Sequence, residues 1–173
     1  MTPDLTPAAL ALGALVTDLD DDRRARPTPC TGWSVADLLD HLDVVATGFT
    51  ALARGTEGDG RHRPLPDALD EMAVAWRDPA AWTGTAGAPG PELPRATWGR
   101  IGLTELLVHT WDLARALGRP LPALPDDLLR VALDHVLVFV PRAPLPELWG
   151  TPVAVAPDAP LWDRLVGGTG RTP

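Results

Sequence analysis

Apolar residues recur at helical spacing through much of this chain. Leu5, Leu10, Leu12, Leu15, Val16 and Leu19 predict a first helix over about 6–22, with Thr6 as N-cap and Pro7 in the first turn. A turn follows through RPTPCTGW. A second helix opens at Ser34, where Ser34 and Asp37 form an S-x-x-D capping pattern, and ends near Gly55. Its stripe is broad: Val35, Leu38, Leu39, Leu42, Val45, Ala46 and Phe49. Beyond the polar linker GTEGDGRHRPLP comes a weaker helix over about 66–76.

The stretch GTAGAPGPELPRATWGR reads as loop, with room for a short extended piece at its end. A strong helix is predicted over 101–117, stopped by Gly118 and Pro120, and another over 126–140 between Pro125 and Pro141. From Pro144 onward, the alternating PVAVAP suggests a short strand and LWDRLVG a small helix. No internal repeat is visible. The pattern predicts one mainly all-α domain over 1–173, a four-helix bundle with long loops and a small C-terminal extension.

Composition narrows the function classes. A net charge of −8 disfavours nucleic acid, whose phosphates call for clustered Lys and Arg. No apolar run approaches the roughly 20 residues that cross a bilayer. ALALGALV is short and lacks a basic flank before it, so it does not read as a signal peptide, and the expected location is the cytoplasm. One cysteine, Cys30, excludes an intramolecular disulfide and any multi-cysteine zinc site. The absence of Lys, Asn, Gln and Tyr, beside abundant Ala, Pro, Asp, Leu and Arg, points to a high-GC bacterial genome.

Against that background three side chains stand out. Glu105 and His109, four apart, share one face of the 101–117 helix, and His41 stands between Leu38 and Leu42 on the apolar half of the second helix. Burying an ionised carboxylate among Leu106, Leu107, Val108 and Leu113 costs several kcal/mol unless it is paired or binds a cation. Two imidazoles and one carboxylate meet that cost as a three-ligand divalent-metal site with an open position, the form used for catalysis. A Glu105–His109 ion pair without metal meets it too, and residue type alone leaves both readings open. Asp112, three after His109, and Asp37, four before His41, are candidates to orient a ligand imidazole from behind; for Asp37 the competing role is the helix cap, and for Asp112 a surface charge or a salt bridge to Arg115. His62 and His135 read as ordinary histidines, Trp33 and Trp111 as packing groups, and Cys30 as a buried structural thiol.

At these residues the chain resembles a known family. PTPCTGWSVADLLDHL looks like the signature of the mycothiol-dependent maleylpyruvate isomerase N-terminal, DinB-like superfamily, and LTELLVHTWDLARALGRPL looks like its second block. The ending APLWDRLVGGTGRTP resembles that of a short, uncharacterised bacterial subgroup. The resemblance implies a four-helix bundle holding a divalent metal, commonly Zn2+, through His, Glu and His, which fall here on His41, Glu105 and His109. It also implies mycothiol or a similar small-molecule thiol as co-substrate and an electrophilic second substrate. The expected activity is thus a metal-dependent thiol S-transferase or isomerase-like enzyme. The alternatives are a non-catalytic metal- or small-ligand-binding module and a metal-hydroxide hydrolase. Neither nucleic acid nor membrane is an expected partner; a homodimer is compatible with such a bundle.

Overall fold

Ser34 and Asp37 start the longest amphipathic helix of the N-terminal half in the way their spacing predicts. In the computed structural model, which describes residues 2–58, 60, 63–87, 91–143 and 149–173, the Ser34 hydroxyl accepts from the Asp37 amide at 3.2 Å. The Asp37 carboxylate accepts in return from the Ser34 amide at 2.8 Å. Helix α3 then runs Val35–Arg54 and closes on Gly55, whose φ of 66° is the left-handed conformation that suits glycine.

The helices before it are shorter than the apolar spacing suggests. Helix α1 spans Thr6–Leu15, and a separate turn of helix, α2, spans Asp21–Arg24. Between them Asp18 takes a φ of 55°, so the chain breaks although Val16 stays buried. Helix α4 covers Leu65–Ala75. A short 3-10 turn at Pro79–Trp82 leads into two antiparallel two-residue strands, β1 (Thr85–Ala86) and β2 (Leu93–Pro94). Helix α5 begins directly after β2 and runs Arg95–Leu117.

By its contacts the chain divides into two compact units, residues 1–122 and 123–173. In the first, α3 packs on α4, α4 on α1, α1 on α5 and α5 on α3, a closed ring of four helices. Leu12, Leu38, Leu42, Leu69, Met72, Ile101 and Leu106 fill its centre. Helix α5 is buried continuously from Ile101 to Ala114, on every face rather than along one stripe. Two glycines let other elements approach it. A Cβ on Gly99 would stand 2.5 Å from the Trp82 ring, and one on Gly102 would stand 2.8 Å from Phe49.

In the second unit, α6 (Asp126–Phe139) packs on α7 (Leu161–Gly168), with Leu129, Ala132, Leu133 and Val136 meeting Leu165 and Val166 as its apolar content. The strand expected in PVAVAP does not form. Its Val153 amide donates to the Gly167 carbonyl at 2.8 Å, and Val155 lies against Gly167. The alternation records packing on α7 rather than pairing with another strand. No described helix is long and apolar enough to cross a membrane. The chain is mainly all-α, as its periodicity predicts.

Candidate metal centre

Helix α5 supplies most of the site because it can bury polar groups among apolar neighbours and still satisfy them. Glu105 and His109 are nearly inaccessible and Asp112 is fully enclosed. His41 reaches them from α3 and keeps 31% of its side chain exposed. One oxygen, Oε2 of Glu105, lies 3.2 Å from Nε2 of His41 and 3.1 Å from Nε2 of His109. The two imidazoles meet edge to face, with ring centres 5.0 Å apart. The sequence-derived trio thus comes together from two helices.

Behind His109 the chemistry continues. Its Nδ1 lies 2.9 Å from Oδ2 of Asp112, one helical turn further along α5. The Asp37 carboxylate is committed to the amide and hydroxyl of Ser34, at 2.8 and 2.6 Å, and serves as the cap of α3. His135 stacks on Phe139 in the second unit, and His62 lies outside the described residues. Trp111 is buried beneath the Arg115 guanidinium.

Two neighbours come from the turn before α3. Residues Arg26–Val35 fold back on themselves: the Thr28 amide donates to the Trp33 carbonyl at 2.9 Å and the Val35 amide to the Arg26 carbonyl at 2.8 Å. This places the ring of Trp33 5.1 Å from that of His41, with Trp33 itself 38% exposed. It also brings the Cys30 thiol to 3.2 Å from Oδ2 of Asp112. Cys30 is half-buried and in contact with an acidic group, where the sequence reading has it as a buried structural thiol. The acid is 82 residues away along the chain, so no local pattern could reveal it.

Electrostatics follow from burial opposed by hydrogen bonding. Burial alone would raise the Glu105 carboxyl; hydrogen bonds from His109 and His41, with their charge when protonated, hold it down to about 2. Burial likewise opposes a charged His109, but hydrogen bonding to Asp112, Cys30 and Glu105 raises it well above the usual histidine value. Both ring nitrogens of His109 face carboxylates, an arrangement that favours its protonated form. The donor set suits a divalent ion by its chemistry, and its three ligand atoms lie within 4.8 Å of one another. Ligands about 2.0–2.1 Å from a tetrahedral centre lie roughly 3.3 Å from one another, close to the 3.1 and 3.2 Å found here. A divalent ion between neutral imidazoles would also balance the two buried carboxylates, a task otherwise left to protons on the rings.

The fold and the cluster together define a mainly helical protein with a buried His–Glu–His group, half-open at His41. The resemblance read in the sequence is borne out: residues 5–68 match the family model described as the mycothiol maleylpyruvate isomerase N-terminal domain. The matched stretch contains Cys30, Trp33 and His41, whereas Glu105, His109 and Asp112 lie beyond it. Two uncharacterized proteins, from two strains of Mycobacterium tuberculosis, are each 29% identical over 181 residues, covering 94% of this chain and 92% of the relative. No solved structure gives a significant match.

Proposed function

We propose that His41, Glu105 and His109 hold a divalent metal ion, zinc by preference, and that the protein acts on a small-molecule thiol of the mycothiol class as an S-transferase or isomerase-like enzyme. The observation that carries the metal reading is the convergence of two imidazole nitrogens on one oxygen of the buried Glu105 carboxylate. The thiol is inferred from the family whose model matches residues 5–68. A bound divalent ion would supply Lewis acidity that favours the thiolate over the thiol.

The chain's own residues have separable tasks. Glu105 and His109, fixed one turn apart on a fully packed helix, provide a rigid half-site. Asp112 holds the His109 ring by Nδ1 and leaves Nε2 directed at the centre. His41 and Trp33 are the exposed members, so a small molecule arrives past them. An electrophilic co-substrate then meets the thiol at that mouth.

The test begins with elemental analysis of protein purified without chelator, where about one zinc or comparable ion per chain is expected. Incubation with mycothiol and monobromobimane should then give metal-dependent turnover that is lost in His41→Ala. Metal-free protein with the three side chains intact overturns the reading. Metal uptake without turnover replaces the enzyme by a ligand-binding module.

A further inference from the structure

His109 is approached on both ring edges, and the second edge carries a group that the metal reading does not use. Cys30, His109 and Asp112 place a thiol sulfur, a ring nitrogen and a carboxylate oxygen within 4.8 Å of one another. Within this group Oδ2 of Asp112 stands 2.9 Å from Nδ1 of His109 and 3.2 Å from Sγ of Cys30. We infer that Cys30 is a positioning residue for the metal centre, its S–H donating to Asp112 so that this carboxylate holds the His109 ring with Nε2 toward the ion.

The physical case starts with Asp112. It is completely enclosed, so bulk water cannot solvate it and donors must come from the protein. One oxygen takes both contacts, which fixes the carboxylate rotamer relative to the ring. The donor on the far side is held in its turn: the Cys30 amide donates to the Thr28 hydroxyl oxygen at 3.2 Å, and the Cys30 carbonyl accepts from the Trp33 amide at 3.0 Å. Sulfur therefore approaches Asp112 from an anchored turn. The same turn carries Trp33 to the mouth of the site, which links that mouth to the support behind His109.

The inference rests in part on the metal reading, so the experiment has one arm that needs a metal and one that does not. Cys30→Ala removes the donor; Cys30→Ser retains one. Zinc affinity by competition with a chromophoric chelator should fall roughly tenfold in Cys30→Ala, the lower end of the range for supporting groups, and return to within about threefold of wild type in Cys30→Ser. The Co2+ absorption spectrum should shift in Cys30→Ala alone. In the metal-free protein, nitrogen NMR of the imidazoles should show a hydrogen-bonded Nδ1–H of His109 in wild type and Cys30→Ser, weakened in Cys30→Ala. Equal zinc affinity, Co2+ spectrum and Nδ1–H signal in all three proteins overturn the inference, even if both variants melt lower. If the wild type takes up no metal, the metal reading fails and the NMR arm alone decides this one.

Discussion

Nε2 of His41 and Oε2 of Glu105 lie 3.2 Å apart although 64 residues separate them in the chain. With the edge-to-face contact of the two imidazoles, this contact joins α3 to α5 within the trio, whereas Glu105 and His109 already face each other as neighbours on one helix. The α5 pair is built by local geometry, and His41 is delivered to it by tertiary packing. His41→Ala should therefore reduce zinc affinity by more than the roughly 10–100-fold typical of losing a supporting group. The melting temperature of the metal-free protein should also fall, since His41 is one of the two imidazoles that satisfy the buried Glu105 carboxylate. Competition titration and thermal melts of the same samples check both.

Asp112 and Asp37 should separate cleanly. Asp112→Asn keeps the shape but weakens the hold on Nδ1 of His109, and should lower zinc affinity about 10–100-fold. Asp37→Ala removes the N3 half of the α3 capping box and should lower the denaturant midpoint, with zinc affinity unchanged. The reverse pattern would reverse the two assignments.

On the proposed metal reading, proton and metal should compete for His109. Because its metal-free imidazole is held protonated well above the usual value, binding must displace a proton. Zinc affinity should rise from pH 6 to pH 8, and calorimetry in buffers of different ionisation enthalpy should register the proton released.

Stability of the metal-free protein should show two limbs. Glu105 is depressed from 4.5 to about 2, so its contribution is whole above 4.5 and is lost as pH falls through that interval. His109 is raised above 6.5, so its contribution is whole below 6.5 and is lost as pH rises through the folded value. Thermal melts should peak between those two limits. Glu105→Gln should flatten the acid limb.

Gly99→Ala tests the packing of α5. Helix propensity favours alanine by roughly 1 kcal/mol, but its methyl would stand 2.5 Å from the Trp82 ring and 2.8 Å from the Trp76 ring. Both rings are buried and their indole nitrogens bond to backbone carbonyls, so neither yields easily. Overpacking of about 1–3 kcal/mol should win, seen as a lower denaturant midpoint.

Much of this arrangement was legible from residue type and spacing. Ser34, Asp37 and Gly55 mark α3 at both ends because capping is chemistry within a few residues. The trio is visible because ionisable groups on an apolar helix face need a reason to be there. Other features depend on distant contacts. Val16 and Leu19 continue the helical spacing past the end of α1, and only the backbone at Asp18 shows the break. Gly99 and Trp98 look like loop residues, yet α5 begins at Arg95, since Gly99 is the notch that receives Trp82. Cys30 carried no local sign of its acidic partner for the same reason.

Enclosure of α5 on all sides has a consequence for how the molecule accommodates a guest. A helix walled in from Ile101 to Ala114 cannot slide or roll without opening its unit. Glu105 and His109 act as a fixed datum. On the proposed reading, contacts that distinguish guests of different bulk fall to the rim, where Trp33 and His41 are the solvent-facing side chains, so selectivity is to be re-engineered there while the floor is left untouched.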